Sequence, residues 1–139
     1  MLENLSLEVP ATPESISQVR RQVAEFTRGQ AWPEDDAADL LLAVGEACNN
    51  AVNYGGKTFA SPCLFVSCRR LDSDQLQVDI RNQGNGFYPD LTKLCQMPDS
   101  DDFATCGRGF GLMLALVDNV QVLSDAGDTV IRLTKSRTA

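Results

Sequence analysis

The chain has 139 residues, 43% hydrophobic and 22% charged, with a formal net charge of −7. That length suits one domain with a real core, and the acidic balance argues against nucleic acid, whose phosphates it repels. No apolar run spans a bilayer and no basic-then-apolar leader opens the chain. The expectation is therefore one cytoplasmic domain over residues 1–139 that engages neither nucleic acid nor membrane. Histidine is absent, which removes imidazole acid–base chemistry, imidazole metal ligation and any phosphohistidine acceptor. The five cysteines are odd in number and form no C-x-x-C pair, so reduced thiols are expected rather than a zinc knuckle or a disulfide framework.

Taken in order, residues 1–9 alternate with Leu5, Leu7 and Val9 on one face and read as a strand ending at Pro10. Thr12-Pro13-Glu14 opens a helix, with Thr12 as N-cap and Pro13 at the first helical position. Ile16, Val19, Val23 and Phe26 form its apolar face, and Gly29 ends it. Pro33-Glu34-Asp35-Asp36 starts a second helix with acids in its first turn. That helix runs to Tyr54 and stops at Gly55-Gly56. Two strands follow, Pro62 to Arg70 and Gln75 to Asn82, joined by a turn at Leu71–Asp74. Tyr88 to Cys106 lacks a clear period and reads as a loop. Gly111 to Asp118 is a short helix, and Val120–Leu123 and Thr129–Thr134 form a closing hairpin around Ser124–Asp128. Strands and helices mix without regular β-α-β alternation. This predicts an α/β (α+β) two-layer sandwich, with one mixed, mostly antiparallel sheet covered on one face by helices.

The second helix carries the first chemical signal. Leu40, Leu41, Val44, Ala47, Cys48, Ala51 and Val52 make an apolar stripe, and Glu46, Asn50 and Asn53 run beside it. A carboxylate and amides at the edge of a buried surface are costly unless something binds them. Magnesium with phosphate oxygens suits such a row, because it takes oxygen ligands and few of them from protein. Two glycine motifs follow. In Asn82-Gln83-Gly84-Asn85-Gly86-Phe87, at a strand end, closely spaced glycines permit a sharp bend and close approach to a ligand. Gly107-Arg108-Gly109-Phe110-Gly111-Leu112 opens a helix, aiming free amides at an anion. It is neither a Walker loop nor a dinucleotide fingerprint. Each motif alone reads equally as a turn.

Their order carries more than any one of them. An acid-and-amide helix, a strand-end G-x-G, a loop of about 20 residues, a glycine-rich helix start and a hairpin together resemble the Bergerat-fold, or GHKL, ATP-binding superfamily. Glu46 to Tyr54 looks like its N box, Asn82 to Phe87 and Gly107 to Leu112 like its glycine boxes, and Tyr88 to Cys106 like its ATP lid. Gly127-Asp128-Thr129-Val130 resembles the hairpin whose threonine lies near adenine. Within the superfamily the phrasing is most similar to the stand-alone anti-sigma-factor serine/threonine kinases.

The resemblance implies ATP and Mg2+ as cofactors. It makes Glu46 the general base toward a partner's serine or threonine hydroxyl. Asn50 becomes the magnesium ligand and Asn53 a phosphate contact. Asn82, Gly84, Gly86 and Thr129 fall around the base, and Gly107, Gly109 and Gly111 around the phosphates. Arg108 either neutralises transition-state charge or is a solvated loop charge. The implied partners are a small antagonist (anti-anti-sigma) protein and a sigma factor, and such kinases commonly form homodimers.

One position departs from the pattern. The family's first glycine box begins with aspartate, and here Asn82 stands in its place. An amide oxygen still accepts a hydrogen bond, without charge assistance. Asp79 does not substitute, because three residues along a strand place it on the opposite face. The alternative reading keeps the fold as a nucleotide-binding regulatory module that is catalytically weak or inactive and works by protein–protein binding.

Overall fold

The structure is a computed structural model that describes residues 4–54, 63–82, 111–125 and 127–138. In chain order the elements are β1 (Asn4–Pro10), α1 (Pro13–Gly29), α2 (Glu34–Tyr54), β2 (Cys63–Asp72), β3 (Gln75–Asn82), a short helix over 111–116, β4 (Asn119–Asp125) and β5 (Asp128–Ser136). The strands form one sheet in the order β1-β2-β3-β5-β4, and every described pairing is antiparallel. The expected Tyr88–Cys106 loop and the residues Gly84, Gly86, Gly107, Arg108 and Gly109 lie outside the described residues.

Strand alternation builds the core. Leu64, Val66 and Cys68 of β2, Leu76, Val78 and Ile80 of β3, and Ile131 and Leu133 of β5 are all buried. In the register, Val66 sits opposite Ile80, which in turn sits opposite Ile131. These side chains share one face of the pleat. On that face α2 supplies Leu40, Val44, Ala47, Cys48 and Ala51, and α1 supplies Val19, Val23 and Phe26. Trp32, between the helices, closes the core at 7% exposure. α2 packs on β3, β5 and β2, and α1 on α2, β1 and β2.

Local details differ from the sequence expectation at the element ends. Thr12 has extended backbone (φ −127°, ψ 154°) as an N-cap should, yet its hydroxyl lies 3.0 Å from the Ser15 hydroxyl and makes no bond to the helix backbone. The α1 C-terminus reverses at Ala31, with φ 55°, not at Gly29. There the Ala31 N–H donates to the Arg28 carbonyl and the Trp32 N–H to the Thr27 carbonyl. This is the paired closure of a Schellman motif, which glycine usually completes. Strand β2 runs two residues past its expected end, through an irregularity between Arg70 and Asp72. The turn then shrinks to Ser73-Asp74, held by the Asp74 N–H donating to Asp72 Oδ1 at 2.8 Å.

Cys48 and Cys68 are buried, and burial pushes both thiols up to about 12. They are protonated, inert core groups at neutral pH.

Two stability predictions follow from these features. Because a left-handed alanine costs about 1–2 kcal/mol, Ala31→Gly should raise unfolding free energy by about 1 kcal/mol in urea titrations, and a loss of stability would contradict the strained assignment. For the raised thiols, the unfolded chain gives up its protons first. Their contribution is complete below pH ~9 and declines above it, by about 1.4 kcal/mol per pH unit per thiol, until the folded-state value is reached. Cys48→Ala should therefore show a shallower loss of stability than the parent between pH 9 and pH 11 (roughly, from the same linkage), and parallel curves would contradict it.

Candidate functional site

The apolar track of β3 ends in a polar residue. Leu76, Val78 and Ile80 are followed on the same face by Asn82, which is 2% exposed. Across the strand pair its Cα partner is Thr129, 1% exposed, on the face that Ile131 and Leu133 continue. Asn82 Nδ2 is buried and has no hydrogen-bond partner, and it is the one such side-chain atom among the described residues. A buried donor left unpaired costs about 1–3 kcal/mol. Packing alone gives no reason to end an apolar track this way. A ligand acceptor reaching Nδ2 would remove the penalty, so the group present fits a base that presents hydrogen-bonding atoms. At the neighbouring hairpin, Gly127 takes φ 85°, a conformation suited to glycine.

Residues on α2 face the same layer. Glu46 and Asn50 are half-buried beside the fully buried Ala47, Cys48 and Ala51, while Asn53 is exposed. The direction of α2 is set at its other end. Thr138 donates through its backbone N–H (2.8 Å) and its hydroxyl (3.0 Å) to Asp36 Oδ2. Lys135 Nζ lies 3.7 Å from Asp39 Oδ2 and donates to the Leu116 carbonyl at 2.9 Å. The start of α2 is thus tied to the end of β5. From Asp39 to Asn53 the helix advances about 21 Å, and from Lys135 back to Thr129 the strand spans about 20 Å. The later turns of α2, which carry Glu46, Asn50 and Asn53, lie beyond this anchored end of the helix. Asn82 and Thr129 are brought into direct register, whereas Asn53 stands off in solvent.

The Asp36 anchor was not singled out in the sequence. Its signal was there: Asp36 lies four residues before Leu40, on the buried stripe, and it is 3% exposed. Gly111 begins the 111–116 helix in the open, and a Cβ there would meet nothing within 4 Å. Packing among the described residues therefore does not demand glycine at that position.

The opposite face of the sheet has a different character. Asp79 and Arg132, Cα partners across β3 and β5, form a two-pronged ion pair, with Nε to Oδ1 at 2.9 Å and Nη2 to Oδ2 at 3.0 Å. Hydrogen bonding to Asp79 raises the Arg132 pKa. A broad groove over this face is lined by Glu8, Phe65, Asp79, Arg81 and Arg132, and by none of Glu46, Asn50, Asn82 or Thr129. Asp79 is thus committed to the far side of the sheet, as strand alternation requires.

Residues 9–135 match a family model described as the histidine kinase-like ATPase domain. The chain belongs to that family. Among curated relatives of this histidine kinase-like ATPase domain, the chain is 30% identical to the serine-protein kinase RsbW of Bacillus velezensis, over 93% of its own length and 83% of the relative. It is 32% identical to the serine-protein kinase RsbW of Staphylococcus epidermidis, over 91% and 82%. The crystal structure of the RsbU and RsbW domains of a Mycobacterium tuberculosis protein shares the fold at a TM-score of 0.72 and 23% identity. It covers 99% of this chain, which spans 33% of that longer polypeptide. The five-stranded antiparallel sheet backed by helices is thus the fold of this ATPase family. No helix among the described residues is long and apolar enough to cross a membrane.

If the Asp79–Arg132 pair only braces the sheet, Asp79→Asn should lower stability by about 1 kcal/mol, the scale of a partly exposed charge-assisted pair. Calorimetric affinity for Mg-ATP should be unchanged. A tenfold loss of affinity would place Asp79 in the nucleotide site after all.

Proposed function

We propose that this chain is an ATP-dependent serine/threonine protein kinase that acts as an anti-sigma factor, phosphorylating a small antagonist protein in a partner switch. The observation that carries the reading is the buried Asn82, whose Nδ2 donor has no partner, in register with Thr129. It stands in a chain whose relatives are named serine-protein kinases over nine-tenths of its length.

Phosphoryl transfer asks mainly for positioning, charge neutralisation and a group to take or orient the hydroxyl proton. In this reading Glu46 accepts the proton of the partner's serine or threonine hydroxyl. The oxygen forms its bond to the γ-phosphorus as the bond to the bridging oxygen breaks, and ADP leaves. Half-burial beside Ala47 and Cys48 keeps the carboxylate at the edge of the core rather than in bulk water. Asn50 offers an amide oxygen to magnesium, which when bound offsets phosphate charge. Asn53 reaches a phosphate from the solvent side. Asn82 and Thr129 hold the base, with Gly84 and Gly86 letting the backbone come close. Gly107, Gly109 and Gly111 cradle phosphates with backbone amides, and Arg108 adds positive charge there.

The whole of residues 1–139 acts as one cytoplasmic domain in this account. It holds either a sigma factor or the antagonist, and it pairs as a homodimer. A phosphate on the antagonist would weaken its hold through charge and desolvation.

The test is transfer of labelled phosphate from Mg-ATP to a candidate antagonist. Glu46→Gln should reduce the rate by about 100-fold or more, the usual contribution of a general base, while calorimetric Mg-ATP affinity stays within threefold, roughly 0.7 kcal/mol. Undiminished transfer would remove Glu46 as the base. Tight nucleotide binding without transfer to any candidate would favour a regulatory module over a kinase.

A further inference from the structure

Asn82 stands where the family pattern has aspartate, and the two side chains differ in one respect that matters to a purine. A carboxylate only accepts hydrogen bonds, whereas a carboxamide accepts at Oδ1 and donates at Nδ2. The donor half of Asn82 is the buried atom left without a partner. Its neighbours on the same face, Ile80 and the cross-strand Leu64, offer no acceptor side chain. The other cross-strand neighbour, Thr129, makes no bond to Nδ2.

We propose that Asn82 makes the base subsite accept guanine as well as adenine nucleotides. This rests on the reading of the Asn82–Thr129 pair as part of a nucleotide site. Adenine presents an N6–H donor next to the N1 acceptor. Oδ1 accepts from N6–H and Nδ2 donates to N1. Guanine presents the O6 acceptor next to an N1–H donor. Turned by 180° about χ2, the same amide donates from Nδ2 to O6 and accepts from N1–H at Oδ1. Each base meets two complementary bonds, and each satisfies the orphaned donor. A carboxylate at the same point has no donor to give to adenine N1 or to guanine O6, so in this orientation it meets either base with one bond in place of two. In a buried site that mismatch leaves polar groups unpaired and is costly. The amide of Asn82 thus recognises either base through both of its polar atoms.

The test is calorimetric titration of the full chain with Mg-ATP and with Mg-GTP, for the parent, Asn82→Asp and Asn82→Leu. The parent should bind the two within about tenfold of each other. Asn82→Asp, which keeps the acceptor and loses the donor, should weaken both by about tenfold, the loss of one of two bonds. Asn82→Leu, which has neither donor nor acceptor, should weaken both. A parent that prefers ATP by 100-fold overturns the inference and leaves the nucleotide-site reading standing. So does an Asn82→Leu variant that binds Mg-GTP as tightly as the parent. A parent that binds neither nucleotide overturns the site reading and the inference together. Should the aspartate variant fail to fold by circular dichroism, the parent's ATP-to-GTP ratio still decides.

Discussion

The sheet of this protein is buried on one face by two helices, and strand alternation does the rest. Every second residue of β3 and β5 must enter the layer beneath α2: Leu76, Val78 and Ile80 on one strand, Ile131 and Leu133 on the other. Asn82 and Thr129 fall on the same beat, so they are buried by position rather than by affinity for the core. The same beat sends Asp79 and Arg132 to the far face, where they satisfy each other. A one-residue slip of β3 would exchange the two sets and destroy both.

A second constraint holds α2 on the sheet. The first turns of α2 are tied to the C-terminal end of β5 through Asp36 with Thr138 and Asp39 with Lys135. A helix so anchored has little freedom in the direction its later turns take. Glu46 and Asn50 sit on those later turns, half-buried at the border of the apolar stripe. In the proposed kinase this arrangement lets one packing interface serve two ends. The anchored end supplies stability, and the other end carries the carboxylate of Glu46 and the amide of Asn50.

Much of this was legible in the sequence because it rests on short periods. The two long helices, the β2–β3 turn region, the closing hairpin and the inward stripe of α2 follow from 3.6- and 2-residue repeats, and the outward direction of Asp79 follows from parity alone. Helix ends were less legible. Gly29 looks like a terminator, yet the left-handed position falls at Ala31, and Trp32 enters the core three residues beyond the last helical residue. Thr12 has the right backbone for a cap and spends its hydroxyl on Ser15. Beyond those two hairpins, the sheet order was not legible. Placing β5 between β3 and β4 depends on pairings some 50 residues apart in the chain, such as Asn82 with Thr129, and no local pattern records them. Of the candidate site, the residue types and their order could be read in advance, as could the substitution at position 82. The unpartnered Nδ2 could not, because it depends on which groups the fold leaves beside it.

The central claim is that the amide of Asn82 meets a nucleotide base. Its most direct test is the side-chain 15N–1H2 signal of Asn82, assigned by its loss in Asn82→Asp, followed by NMR as Mg-ATP is added. The account predicts a saturable shift of that pair of resonances, tracking the binding curve. An Asn82 signal that stays fixed while Mg-ATP binds, or no binding at all, would contradict it.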